Sequence, residues 1–429
     1  MTAAEIRSRS LHVALAIGAM TTAFFLTKTG RDALFFQGRG LLDLPAAYMA
    51  MALLALPVAF LMLGAMRRLG PRRARVVMPL AFAALLAAAA PLARPGGGLR
   101  MTALFVLVPL SFGVLFSLFW LLAADLLDEV PRGPLGEAYG WIGAASIAGG
   151  VAGSALARLL ASRIEPAHFL TLGAVALAVA VGAVAVAQRR FPAHRLAESG
   201  GPARPGDVDL VGVLRQPYGG LLLATGMTAS LVGMLVEFQF YLAAATSGAS
   251  GRANARFFGS VYLLLNTIAL VAQLALLPRL QRRVGVHGSL LVLPLALLSG
   301  SAGLLATAWL LGPSLLRIAE GGLRSSVHRV SWEQAYLPLT PAQRASAKLL
   351  VDGAGARLAE GIAALVMLVW LRVAVGGQGL EGRDASFFAW LLLAATLAWV
   401  LLTLRLGRSL DLSPAPADEA RLDIPLPET

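Results

Sequence analysis

Arg67-Arg68-Leu69-Gly70, followed by Met78-Pro79-Leu80-Ala81, returns later in the chain as Arg282-Arg283-Val284-Gly285, followed by Leu293-Pro294-Leu295-Ala296. Glycine and proline keep the same offset in both copies, and each copy is a basic loop that enters an apolar run. Working outward, Trp120 is matched by Trp332 and Arg132 by Arg344, in the same order and at nearly constant spacing. Several landmarks in register point to two copies of one unit rather than to two similar arginine-rich loops.

The apolar runs fall at about 11–36, 44–66, 76–92, 101–127, 141–160 and 169–187. They resume at 221–245, 257–277, 290–311, 315–337, 349–371 and 387–406. Each is close to the roughly 20 residues that an α-helix needs to cross a bilayer. The composition agrees, with 58 % hydrophobic and only 14 % charged residues in 429, against about 25 % charged in soluble domains. The first run is too long for a cleaved signal and lacks a small-residue cleavage site, so it is expected to remain as the first span.

The net charge of +13 suggests a nucleic-acid binder until its placement is considered. The excess is arginine lying between apolar runs, which is a topology signal, and no nucleic-acid partner is expected. With twelve spans, the arginine-rich loops fall on one side together with both termini, the side expected to be cytoplasmic. That pattern keeps the tenth span, although it carries Arg317, Glu320, Arg324, Arg329 and Glu333. The expected organisation is a six-helix half over 1–190, a cytoplasmic linker over 191–216, a second half over 217–408 and a disordered acidic tail over 409–429. The chain has no cysteine, and its five histidines show no metal-ligand spacing, so neither a metal site nor a disulfide is expected.

Charges within spans are costly and mark polar interiors. In the first span Lys28, Arg31 and Asp32 fall at i, i+3 and i+4 and share one helix face, which is expected to turn inward. The seventh carries Glu237 with Gln239 beside it. In the tenth, Arg317, Glu320, Arg324 and His328 form a stripe, and Arg329 and Glu333 are spaced as an i, i+4 pair. The fourth ends in Asp125, Asp128 and Glu129; the eleventh carries Lys348, Asp352, Arg357 and Glu360. Lys28, Arg31, Asp32, Glu237, Gln239, Arg317, Glu320 and Arg324 are the candidates for holding a substrate. Asp125, Arg329, Glu333, Lys348, Asp352 and Arg357 are the candidates for gating ion pairs. In the fifth span Gly149 and Gly153 make a GxxxG step suited to close helix packing.

A parallel repeat of six helices resembles the major facilitator architecture, an all-α membrane fold of about twelve helices in two pseudo-symmetric halves. Within it, the charged positions resemble those of the ATP/ADP translocase family, bacterial branch. The resemblance lies in Arg31-Asp32-Ala33-Leu34-Phe35, Phe119-Trp120 with Ala124-Asp125-Leu126, and Glu237. It continues in Tyr336-Leu337-Pro338-Leu339-Thr340-Pro341 with Arg344, Lys348, Asp352 and Arg357. It implies nucleotide exchange across a bacterial inner membrane by a monomer, with basic residues meeting phosphates, and it adds Glu137 to the gating set.

The expected function is a secondary transporter of a small organic anion, with lipid as surroundings and no cofactor. A carrier of lipids or amphipathic compounds, which needs a more apolar cavity, and a non-transporting scaffold or sensor are the alternatives. An enzyme is not expected: no Ser/His, Asp/Asp or metal arrangement stands out among the spans, and the Gly-Lys pairing of a phosphate-cradling loop does not occur.

Overall fold

The computed structural model describes all residues except 1–2, 39–42, 94–97, 128–129, 131, 192–209, 247–250, 305–310, 337, 340, 374–381 and 413–429. The disordered tail expected over 409–429 thus lies, from Ser413 on, outside the described residues.

The described residues are almost entirely helical, as lipid requires: a helix satisfies its own backbone hydrogen bonds where no water can. The first half runs α1 (Ala3–Gly38), α2 (Leu44–Leu69), α3 (Pro71–Ala89), α4 (Leu99–Leu127), α5 (Arg132–Leu160) and α6 (His168–Arg190). A short helix, α7 (Leu210–Arg215), sits in the segment expected as linker. The second half runs α8 (Pro217–Thr246), α9 (Gly251–Val271), α10 (Leu277–Leu304), α11 (Leu311–Leu323), α12 (Arg329–Ala335), α13 (Pro341–Lys348), α14 (Ala356–Val373) and α15 (Gly382–Leu412). Wide π-helical turns at Ala272–Leu276, Arg324–His328 and Leu349–Gly355 join α9 to α10, α11 to α12 and α13 to α14.

Among the described residues, nine stretches are long and apolar enough to cross a membrane, or ten with α2, which bends by 40° around its internal Pro57. One of the nine, Gly251–Leu304, is two rods, because the chain turns at Gly285. The run α11–α12 is less apolar than these, because its charged residues lower its mean hydropathy. Its backbone is nevertheless helical from Leu311 to Ala335. These account for the twelve spans. The chain is a multi-pass membrane protein.

The repeat read from the sequence is visible in the backbone. Gly70 takes φ 76°, ψ 155° and Gly285 takes φ 67°, ψ −171°. This region is essentially closed to side-chain-bearing residues, so the matching glycines make the same turn in both halves. Packing repeats as well. In the first half, α1 packs on α4 and α6, α2 on α4, and α3 on α6. In the second, α8 packs on α11 and α15, α9 on α11, and α10 on α15.

The halves meet through α5 on α9, α2 on α14 and α1 on α9. The Gly149–Gly153 step works as expected, but within the first half. A β-carbon on Gly149 would lie 2.1 Å from the Gly18 carbonyl oxygen of α1, and one on Gly153 would lie 2.7 Å from that of Thr22. This close approach presses α1 and α5 together and fixes the direction of the charged α1 face.

Two ends of the bundle can be told apart. The near end holds the start of α1, where Arg9 donates to the Leu126 carbonyl of α4 and His12 meets Phe191. In the second half it holds the cluster of Tyr218, Ala335, Tyr336 and Leu406. The far end holds the last turns of α1 and α8 and the first of α9 and α11.

Candidate functional site

The charged face of α1 meets the second half in the far part of the bundle. Asp32 is sealed, and Arg31 and Lys28 are nearly so. Arg31 donates from Nε to Asp32 Oδ1 at 2.7 Å, and from Nη1 to the Phe105 carbonyl at 3.3 Å. The Phe105 ring lies 4.2 Å below its guanidinium. Asp32 Oδ2 accepts from the Tyr241 hydroxyl at 2.9 Å and from the Tyr262 hydroxyl, both in the second half. Lys28 Nζ lies 3.5 Å from the same oxygen. Lys28 donates across to Tyr241 at 2.9 Å and to Glu237 Oε1 at 3.3 Å, and stands 5.0 Å over the Tyr262 ring.

From Glu237 the network continues into α11. Arg317 Nη2 donates to Glu237 Oε1 at 3.2 Å and Nη1 bonds Glu320, which Arg324 also holds. Arg324 reaches the Ala229 carbonyl of α8 at 2.9 Å, and the Trp399 ring lies 5.8 Å away. Seven charged side chains from both halves thus form one connected lattice. Four are cations (Lys28, Arg31, Arg317, Arg324) and three are carboxylates (Asp32, Glu237, Glu320), which leaves one positive charge in excess. Burying that many charges is tolerable only when each is paired and hydrogen-bonded, and the tyrosines and backbone carbonyls supply the extra bonds. Arg324 opens the wide turn of the tenth span, a distortion often found at functional sites.

Gln239 does not join this lattice. It lies two residues beyond Glu237, on another face of α8, and donates to the Phe388 carbonyl of α15 at 2.9 Å. The amide thus stands apart from the other expected substrate residues and joins α8 to α15 within the second half.

The near-end candidates are arranged differently. Asp125 of α4 pairs with Arg75 of α3. Arg75, at the end of an arginine-rich loop, is buried. Glu333 pairs with Lys348 across α12 and α13, and not with Arg329, which is exposed. The expected i, i+4 pair is thus replaced by one to a cation on the next helix. Asp352 accepts from Trp332 Nε1 at 3.1 Å and the Tyr336 hydroxyl at 2.9 Å. Arg357 pairs with Glu360 at 2.6 Å on α14. All these contacts stay within one half. The Glu137 side chain, with Asp128 and Glu129, lies outside the described residues.

Among the polar contacts that join the halves are the α1 contacts with Glu237, Tyr241 and Tyr262, Asn266 to Ser154 at 3.2 Å, and Arg252 to Glu165 at 2.8 Å. Tyr241 and Tyr262, central to the lock, were not singled out from the sequence. Tyr241 stands at i+4 from Glu237 on the same face, a spacing that points to it. Nothing local marks Tyr262.

No family model matches the chain, and no curated protein matches it in sequence. Solved structures do match. A variant of the nucleoside transporter NupG superposes with a TM-score of 0.68 at 12 % identity, covering 94 % of this chain and 99 % of that one. NupG itself gives 0.64 at 12 % identity over 94 % and 99 %. The POT family transporter PepTSo gives 0.62 at 12 % identity over 94 % and 98 %. The chain therefore has the major facilitator fold.

Proposed function

We propose that the protein is a secondary carrier for an organic anion of the nucleotide class, working by alternate opening of its two ends about a central site. The observation that carries this reading is the lattice itself. Its seven charged groups come from both halves, carry one excess positive charge and sit where the halves close on each other. Such a site attracts an anion, and its bonds must be remade whenever the halves part. The described contacts that join the halves at the far end support reading this conformation as a carrier shut at that end.

Orientation follows from the arginine-rich near-end loops, which by the positive-inside rule face the cytoplasm with both termini. The far-end lock then lies on the outer side. The resemblance to ATP/ADP translocases favours a nucleotide, and the likeness to a nucleoside transporter is consistent with a base-bearing solute. We place the protein in a bacterial inner membrane, acting as a monomer. The halves are taken as 1–190 and 217–408, and the near-end pairs Asp125–Arg75 and Glu333–Lys348 as groups that exchange partners when that end closes.

The test is uptake of labelled ATP and ADP into proteoliposomes, with and without internal nucleotide, beside a Lys28→Ala, Arg31→Ala double variant. Uptake that requires internal nucleotide and is lost in the variant is expected. Absence of uptake above empty liposomes, with folded protein, would remove the nucleotide assignment.

A further inference from the structure

The three carboxylates of the lattice are not held alike. Asp32 is fully buried and receives Arg31, Lys28, Tyr241 and Tyr262. Glu320 is nearly as buried and is clamped between Arg317 and Arg324. The Glu237 side chain keeps 24 % of its surface exposed. Its two ion contacts, 3.3 Å to Lys28 and 3.2 Å to Arg317, both fall on Oε1. These are longer than the roughly 2.7–2.9 Å of a well-formed charge-assisted hydrogen bond. Glu237 is the most loosely held anion in the lattice, and it lies between one cation from each half.

Two neighbouring polar atoms have unused capacity. Arg317 Nε and the Tyr48 hydroxyl are buried without a hydrogen-bond partner among the described residues. Tyr48 packs on Phe105, which lies under Arg31. Buried donors left unsatisfied are costly, and an entering anion with several acceptor oxygens would relieve Arg317.

We infer that Glu237 is a built-in stand-in for the anionic group of the substrate. Lys28 and Arg317 form an anion subsite for a phosphate or carboxylate group. Glu237 fills the subsite while it is empty and gives way when the anion arrives. This rests on the carrier reading and adds a mechanism to it. Without Glu237, the four cations Lys28, Arg31, Arg317 and Arg324 would share only Asp32 and Glu320, leaving buried charge undercompensated, so the protein supplies its own counter-ion. Because Glu237 also bridges the halves, loading the subsite and loosening the far-end lock become one event.

Substitution of Glu237 should have a sign that few roles share: removing a binding-site residue should tighten binding. With the full chain in lipid nanodiscs, affinities for ATP, inorganic phosphate and acetate are measured by calorimetry. Glu237→Gln is expected to bind ATP about tenfold more tightly than the natural chain, because an occupied subsite lowers apparent affinity by the fraction that is free. Glu237→Asp, with a shorter arm and the same charge, is expected to fall between them and serves if the amide variant does not fold. Glu360→Gln removes an equal charge from neighbouring α14 and is expected to gain much less. Weaker or unchanged binding in Glu237→Gln, or an equal gain in Glu360→Gln, would overturn the stand-in role while leaving anion transport intact. Binding of none of the three probes to either chain would overturn the inference and the anion-carrier reading together.

Discussion

At the far end of the bundle, charged side chains of one half are bonded to the other half; at the near end the described pairs Asp125–Arg75 and Glu333–Lys348 are each bonded within one half. Residue chemistry does not separate the two regions, since both offer lysines, arginines and carboxylates on adjacent helices. What differs is placement relative to the seam. Lys28, Arg31 and Asp32 sit on an α1 face that α5, drawn close at Gly149 and Gly153, leaves turned toward α8 and α9. Arg75 and Asp125 face one another across α3 and α4, inside the first half. A salt bridge across the seam holds a conformation; one inside a half holds a rigid body that moves.

The comparison is broken most severely at Asp32. In Asp32→Ala, Arg31 loses its counter-charge and Lys28 one of two in a sealed site, and two tyrosines lose their acceptor. Breaking such a buried pair costs about 3–5 kcal/mol, and a fall in the thermal unfolding midpoint of the detergent-solubilised protein is the readout. Asp125→Ala is expected to cost less, about 1–3 kcal/mol, because Asp125 is partly exposed and its loss strands only Arg75. Glu333→Ala removes a pair whose members are 45 % and 40 % exposed, and about 1 kcal/mol or less is expected. An inverted order in this series would mean that the far-end lattice contributes little to holding the halves.

Much of this contrast was legible in the sequence, for identifiable reasons. The i, i+3, i+4 spacing of Lys28, Arg31 and Asp32 is incompatible with lipid, so an inward face followed from periodicity alone. Of the stripe Arg317, Glu320, Arg324 and His328, the first three form one connected set of bonds, while His328 packs against the Trp332 and Trp399 rings. Gly70 and Gly285 carried the repeat because their turn excludes other residues, and the backbone shows the same conformation at both. Partner choice was not legible. Spacing on one helix proposed Arg329 for Glu333, but Lys348 on the next helix is the partner, and Gln239 looks equivalent to Glu237 until its helix face is known. Tyr262 was invisible because a tyrosine in an apolar run carries no periodic or charge signal. Arg75 was hidden in a run of loop arginines from which only the fold separates it.

The central claim is that the far-end seam must open for solute to move. The natural chain has no cysteine, so a Glu165→Cys, Arg252→Cys pair, replacing the exposed ion pair across that seam, can be joined by a reducible bifunctional thiol reagent in proteoliposomes. Uptake of labelled ATP is expected to stop when the pair is linked and to return when the link is reduced. Undiminished uptake with the far end linked would contradict the account.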